Sequence, residues 1–101
     1  VLVFDEIDVN IGGEMAHAVG AKLAAVARHH QVLCITHLPQ VAVHGATHLA
    51  VRKEVEAGRT RTQIELLKSD SRVEEIARML GDRDSAVALK HARELLKNSH
   101  T

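Results

Sequence analysis

Aromatic residues are almost absent from this chain of 101 residues: Phe4 is the only one, and Trp and Tyr do not occur. Stacking of bases on aromatic rings, a common way to hold single-stranded nucleic acid, is therefore not a mechanism that the chain can use widely. The formal net charge is zero, with 13 basic and 13 acidic residues. Overall charge thus gives no argument for a nucleic-acid or a membrane partner.

Cysteine and long apolar runs are also scarce. The single cysteine, Cys34, excludes an internal disulfide and favours a reducing compartment. No apolar stretch approaches the roughly 20 residues that a membrane-spanning helix needs. Apolar residues still make up 46% of the chain, which suits one folded domain or a piece of one. A beginning inside an apolar run, without an initiator Met, favours a piece.

The most informative stretch opens the chain, where four apolar residues are followed by Asp5 and Glu6. Short apolar runs rich in β-branched residues are typical of strands buried on both faces of a parallel sheet. Open α/β sheets bind ligands at the carboxyl ends of their strands, where these two carboxylates would lie. Asp5 could hold Mg²⁺, because hard cations prefer oxygen ligands, and Glu6 could orient or deprotonate a water. This is the pattern of a Walker B strand; the plain alternative is a core strand that runs into an acidic turn.

A βαβ unit is predicted from the residues that follow. A helical apolar pattern covers about residues 14 to 28, after a loop with two glycines. A second apolar run, Val32–Ile35, leads to His37, and a short helix should begin near Pro39. A crossover of this length joins parallel strands, so Glu6 and His37 should emerge at the same edge of one sheet. That shared edge favours a functional role for His37 over a capping role.

The second half of the chain predicts a β-hairpin followed by two helices. Two segments of alternating apolar and polar residues flank a turn around Gly58. Residues 71–74 match a capping box that opens a helix, which Gly81 would end. Asp84 or Ser85 would cap the last helix. The expected fold class is therefore α/β, with a parallel βαβ unit, a β-hairpin and two C-terminal helices.

A phosphate-binding loop is missing from the sequence. None of the six glycines precedes Lys-Ser or Lys-Thr, so the chain has no Walker A motif. Either residues outside this chain complete a nucleotide site, or the carboxylates serve another chemistry.

Taken in order, these motifs resemble the ATPase head of the bacterial RecN DNA-repair family, relatives of SMC proteins within the ABC ATPase superfamily. The matching segments are the Walker B strand at residues 2–6, the D-loop at 7–13, the switch-histidine segment at 31–42, the hairpin stretch at 59–62, and the closing helices at 72–81 and 91–96. The Thr-His-Leu-Pro-Gln segment and the Val-Glu-Glu-Ile-Ala-Arg-Met-Leu-Gly segment are the most specific. Asn10 stands where the family usually has Gly, and Asn tolerates left-handed backbone better than most residues.

The resemblance implies a partial P-loop NTPase head and a role for each matching residue. Asp5 would help to hold Mg²⁺ on the phosphates of ATP, and Glu6 would polarise the attacking water. His37 would contact the γ-phosphate side and report its presence. Phosphoryl transfer needs positioning and charge neutralisation more than covalent help, which agrees with these residue types.

The resemblance also implies partners. Asp8 and the loop to Gly12 and Gly13 would lie at the ATP cofactor and meet a second head in an ATP-sandwiched homodimer. Residues 1–101 would form the C-terminal part of the head and would be inactive alone, because the phosphate loop and the signature motif of the family are missing. The intact protein would be a cytoplasmic, nucleoid-associated ATPase that acts on DNA in double-strand break repair, recombination and the SOS response.

Two alternatives from other classes stay open. Residues 5–8 also fit the Asp-Glu-x-Asp box of a nucleic-acid helicase. Such helicases usually have Ser-Ala-Thr where this chain has Ile-Thr-His at 35–37, and the Gly-Gly pair at 12–13 fits the ABC pattern better. The other alternative is a non-catalytic interaction module whose acidic loop is only structural. A parent chain without a phosphate loop would favour it.

Overall fold

The computed structural model describes residues 1–5, 12–82 and 84–99. In chain order the elements are β1 (Leu2–Asp5), α1 (Gly13–Val26), β2 (Val32–Ile35), α2 (Pro39–Ala42), β3 (His48–Glu56), β4 (Arg59–Leu67), α3 (Ser69–Leu80) and α4 (Ala86–Ser99). Within those residues the fold is a mixed α/β arrangement of two two-stranded sheets and four helices. This confirms the predicted fold class at that level. The helices in this part of the chain are too short or too polar to cross a membrane.

β1 and β2 form a parallel pair joined by α1, which is the βαβ unit that the sequence predicts. Leu2 pairs with Val32 at one end, and Asp5 pairs with Ile35 at the other. The backbone N–H of Leu2 also donates to the Gln31 carbonyl at 2.8 Å. The carboxyl ends of both strands therefore lie at one edge of the sheet.

Both strands carry large apolar side chains that remain exposed. Val1 and Val3 expose 82% and 62% of their surface, and Leu33 and Ile35 expose 48% and 57%. Burial of apolar surface is favourable by about 25 cal/mol per Å², and contiguous exposed apolar residues often mark a surface that another element covers. The sequence predicts a strand buried on both faces, whereas the described residues leave much of this strand pair exposed.

α1 meets α2 through small residues rather than through the apolar stripe that its sequence suggests. Ala16 and Gly20 are buried, whereas Met15 is 57% exposed. A Cβ at Gly20 would overlap Cδ2 of His44 and lie 3.2 Å from the carbonyl oxygen of Gln40. The missing side chain therefore allows the two helices to approach closely. Periodicity identifies the faces of a helix but not the face that a neighbour covers.

β3 and β4 form the predicted antiparallel hairpin, with Glu56 opposite Arg59 beside the turn. The two turn residues, Ala57 and Gly58, have φ angles of 51° and 77°. Two positive φ angles are typical of the type I′ turn, whose twist matches that of the flanking strands. Glycine adopts this backbone without strain, whereas alanine does so at a cost.

The main core lies where α3 and α4 pack together beside the end of α2. Its buried side chains are Val43, Ile76, Ala77 and Ala92. Partly buried apolar side chains surround them: Ala42, Val73, Met79, Leu80, Ala88, Leu89, Leu95 and Leu96. The two closing helices that the sequence predicts are thereby confirmed.

The beginning of α3 differs from the prediction, whereas its end agrees. The helix begins earlier, with Lys68 in the N-cap position, so Ser71 is its third residue and not its cap. From inside the helix, Ser71 Oγ accepts a hydrogen bond from the backbone N–H of Lys68 at 3.0 Å. Gly81 ends α3 at a φ of 133°. Ser85 caps α4 as predicted, since its Oγ accepts the N–H of Ala88 at 3.3 Å.

Candidate functional site

Two of the predicted site residues lie at the carboxyl edge of the parallel strand pair. Asp5 is the last residue of β1 and pairs with Ile35, the last residue of β2. His37 follows Ile35 by two residues, and both Asp5 and His37 are exposed to solvent. Parallel pairing thus brings a carboxylate and an imidazole to one edge, which is the arrangement expected from the length of the crossover.

The predicted D-loop is described only at its end. Glu6 and Asp8 lie outside the described residues, so their roles stay predictions. Gly12 is the N-cap of α1, and its carbonyl accepts the N–H of Ala16 at 2.9 Å; Gly13 is the first residue of the helix. The φ of Gly12 is −78°, which any residue adopts, and a Cβ there would meet no other described atom within 4 Å. Within the described part of the chain, no other residue therefore covers the Cα of Gly12.

The segment after β2 is ordered by its own side chains and by α1. Thr36 Oγ1 accepts the backbone N–H of Leu38 at 3.0 Å, which closes a turn around His37. α2 begins directly afterwards, and a Cβ on Gly13 would lie 3.6 Å from Nε2 of Gln40. The first turns of α1 and α2 therefore lie side by side, next to the carboxyl edge.

An arginine that the sequence analysis did not single out holds the other end of α2. Arg72, in α3, donates from Nη2 to the carbonyls of Ala42 at 3.1 Å, Val43 at 3.4 Å and Gly45 at 2.6 Å. Ser99 donates from Oγ to the Val43 carbonyl at 2.8 Å. The last carbonyls of a helix lack partners within the helix, and a cation is favoured there by the helix dipole.

Neither the charge of Arg72 nor its position in the sequence predicts this contact with α2. The side chain is half-buried, and burial lowers the pKa of the Arg72 guanidinium. Its carbonyl partners lie 27 to 30 residues earlier in the chain. Local periodicity carries no information on a pairing over that separation.

Further titratable groups lie beside Arg72, where β3 begins. Burial lowers the pKa of His48, the positive charge of Arg72 lowers it further, and Glu75 opposes the shift. The pKa of Glu75 is itself lowered, first by its hydrogen bond with Arg78 and against the effect of burial. Nε of Arg78 lies 3.0 Å from each carboxylate oxygen of Glu75. The base of the hairpin therefore meets α3 through charged and polar groups.

The described residues hold no group of three or more His, Cys, Asp or Glu side chains arranged to bind a metal ion. Asp5 supplies one exposed carboxylate at the edge. Protein-bound Mg²⁺ often takes only one or two carboxylates and completes its shell with substrate phosphates and water. The donor type and the exposure of Asp5 fit a site of that kind.

Comparison with known proteins shows that the chain is similar to a segment of several proteins named DNA repair protein RecN. It is 50% identical over 97 residues to the protein from Treponema pallidum and 52% identical over 95 residues to that from Deinococcus radiodurans. The relative from Bacillus subtilis is 43% identical over 99 residues. These matches cover 94–97% of this chain but only 17% of each relative. No family model matches the chain. Over nearly its whole length, the chain therefore matches a segment of the RecN family of DNA repair proteins.

Proposed function

We propose that the chain forms the C-terminal part of the ATPase head of a RecN-type DNA repair protein, a partial P-loop NTPase lobe of the ABC/SMC type. The name shared by the relatives supports the repair role. The observation that carries the finer proposal is the shared carboxyl edge of β1 and β2, with Asp5 and His37 exposed along it. Open α/β sheets bind their ligands at such an edge. The relatives' names do not favour the helicase or the interaction-module alternative.

The edge residues would divide the work of phosphoryl transfer, which depends on positioning and charge neutralisation. Asp5 would help to hold Mg²⁺, and the bound ion would neutralise charge on the phosphates of ATP. Glu6 would act as the general base that accepts a proton from the attacking water. His37 would contact the γ-phosphate side and orient the reacting groups.

Residues after the catalytic carboxylates would meet a second head. Asp8, Gly12 and Gly13 would lie between two heads of a homodimer, with ATP held at the shared interface. The absence of any other described atom around a Cβ at Gly12 supports this role, because a residue without a side chain lets another backbone approach closely. The intact protein would work in the cytoplasm at the nucleoid, with DNA as its partner in double-strand break repair and recombination.

Substitutions in the full-length protein that carries this segment test the proposal. Glu6→Gln keeps the size of the side chain but removes its basicity, so ATP hydrolysis should fall by about 10²–10⁴-fold while Mg-ATP still binds. Asp5→Asn should weaken Mg²⁺-dependent nucleotide binding itself. His37→Ala should slow hydrolysis and leave nucleotide binding intact, because it acts at the γ-phosphate and not on the metal.

Two exposed residues away from the edge provide matched controls. His30 precedes β2 at the opposite edge of the sheet, and Glu94 lies on α4. His30→Ala and Glu94→Gln should hydrolyse ATP at the unmodified rate. An unmodified rate in Glu6→Gln would show that the base assignment is wrong. Loss of ATP binding as complete as in Asp5→Asn would instead make Glu6 a metal-binding or structural residue.

The chain by itself offers a simpler test. Since the 101 residues contain no phosphate loop, they should not bind Mg-ATP tightly or turn it over. Isothermal titration calorimetry of the isolated chain measures this directly. Micromolar affinity would contradict the assignment of a missing half-site.

A further inference from the structure

α2 is too short to hold its own conformation. It has four residues, about one helical turn, and isolated helices shorter than about 12–15 residues are marginal in water. Its N-cap, Leu38, directly follows His37 in the chain. The direction in which the chain leaves β2 at His37 therefore depends on whatever holds α2 in place.

One guanidinium binds the end of α2, beside the buried side chain of Val43. Nη2 of Arg72 lies within hydrogen-bond distance of three carbonyls at and just after the end of α2, those of Ala42, Val43 and Gly45. Charge-assisted hydrogen bonds are stronger than neutral ones, and carbonyls at the end of a helix lack the partners that the helix interior provides. The Ala42 carbonyl also accepts the backbone N–H of Gly45 at 3.1 Å. The hydroxyl of Ser99 shares the Val43 carbonyl, so both closing helices reach the same short helix.

α2 and the residues after it also contact α1 at two places. The amide of Gln40 lies beside Gly13, and the ring of His44 fills the space beside Gly20. The turn that Thr36 closes with Leu38 connects this clamped helix back to the end of β2. A change at Arg72 that shifts α2 would therefore also shift His37, which lies between Thr36 and Leu38 in this turn.

We infer that Arg72 is a positioning residue for His37. By holding the terminal carbonyls of α2, it fixes where the imidazole of His37 lies at the carboxyl edge. The catalytic consequence rests on the proposed function, in which His37 works at the γ-phosphate. The ordering of α2 by Arg72 does not depend on the proposed function, because it rests on the hydrogen bonds of Arg72.

Steady-state ATP hydrolysis by the full-length protein tests the catalytic consequence. Arg72→Met should lower kcat by up to about 10²-fold, because small misplacements of a working group have effects of that size, and should leave KM for ATP nearly unchanged. The Arg72→Met/His37→Ala double variant should be no slower than His37→Ala, because both changes act through the same imidazole. Arg72→Lys keeps a cation without the planar fork and should recover part of the rate.

Arg78 provides the matched control on the same helix. It is exposed, and its hydrogen bonds go to Glu75 within α3 and not to α2. Arg78→Met should therefore retain the unmodified kcat. A loss in Arg78→Met equal to that in Arg72→Met would show that any arginine of α3 serves equally, and would overturn the inference.

Hydrogen–deuterium exchange in the nucleotide-free full-length protein tests the ordering separately. Arg72→Met should accelerate exchange in residues 36–45 and leave the amides of α4 protected, whereas Arg78→Met should change neither. Unchanged exchange in residues 36–45 would overturn a specific positioning role. Equal acceleration of exchange along the whole 101-residue segment would overturn it as well.

The kinetic outcomes separate failure of the inference from failure of the proposed function. If His37→Ala is slow and Arg72→Met hydrolyses ATP at the unmodified rate, the inference is wrong and the proposed role of His37 stands. Additive losses in the double variant would likewise show that Arg72 acts elsewhere. If His37→Ala itself hydrolyses ATP at the unmodified rate, the proposed role of His37 fails, and a catalytic role of Arg72 through it fails with it.

Discussion

Replacing Gly20 by alanine should destabilise the chain, although the same change in an ordinary helix is stabilising. Gly20 lies within α1, and alanine is favoured over glycine in a helix interior by about 0.8–1.0 kcal/mol. Here a Cβ would overlap Cδ2 of His44, lie 3.0 Å from its Cγ, and lie 3.2 Å from the Gln40 carbonyl oxygen. The imidazole of His44 also packs edge-on against His17, with ring centroids 5.8 Å apart, so its movement disturbs a second contact.

The magnitude follows from two opposing terms. Overpacking in a well-packed site costs about 1–3 kcal/mol, and the helix-propensity gain offsets about 1 kcal/mol of it. The expected net loss in the free energy of unfolding is therefore about 0–2 kcal/mol. It lies toward the upper end because backbone, and not only a side chain, is close to the added methyl. In a domain of this size, 1 kcal/mol corresponds to roughly 4–8 °C in Tm.

Urea denaturation followed by far-UV circular dichroism is the suitable assay, because the chain has no Trp or Tyr for fluorescence. In a His44→Ala background the added methyl has more room, so Gly20→Ala should there be neutral or stabilising by up to about 1 kcal/mol. The difference between the two backgrounds is the coupling energy of the pair. Gly13→Ala is the control, since its Cβ meets Gln40 at an ordinary 3.6 Å. Equal stabilisation by Gly20→Ala in both backgrounds would refute the reasoning.

Two further predictions concern pH and the hairpin turn. The pKa of His48 is lowered in the folded chain, so on acidification the unfolded chain binds this proton before the folded chain does. The free energy of unfolding should therefore keep its full value above about pH 6.5 and decline as the pH falls through the folded pKa. The lowered pKa of Glu75 has the same sign and adds a second loss below about pH 4.3. Urea midpoints measured from pH 8 to pH 3, at intervals of about one pH unit, should show both losses of stability. His48→Ala should remove the first loss, and its persistence in this variant would contradict the assignment to His48. Ala57→Asn should stabilise the hairpin by about 1 kcal/mol, because Asn adopts positive φ more readily than Ala, and a lower urea midpoint than that of the unmodified chain would count against a type I′ turn.

Elements with a strong local pattern could be predicted from the sequence. β2 occupies Val32–Ile35 as predicted, and the hairpin turns at Ala57 and Gly58. In both cases a few consecutive residues carry the whole signal: an apolar run, or an alternation interrupted by glycine. The beginning of α3 was predicted wrongly, because Ser71 has the sequence of a cap but accepts the Lys68 N–H from inside the helix.

The candidate site, too, could be predicted from the sequence only in part. The length of the crossover predicts parallel strands with Glu6 and His37 at one edge, and the parallel pairing of β1 and β2 is confirmed. Glu6 itself lies outside the described residues, so its place at that edge stays a prediction. The resemblance to the RecN family is confirmed by the relatives, whereas the assigned roles of Glu6 and Asp8 stay predictions outside the described residues. The contact of Arg72 with α2 could not be predicted from the sequence, because a single arginine in an amphipathic helix has the pattern of a solvated residue.

The sequence by itself determined most of the local elements, the parallel βαβ unit and the sheet edge at which both strands end, because these follow from periodicity and from the handedness of crossovers. The tertiary structure alone decided which face of α1 is covered and what holds α2. Gly20 lies against His44, and Arg72 binds carbonyls that precede it by 27 to 30 residues. Such pairings depend on the shapes and hydrogen-bonding groups of residues far apart in the chain, and these meet only after the helices have packed.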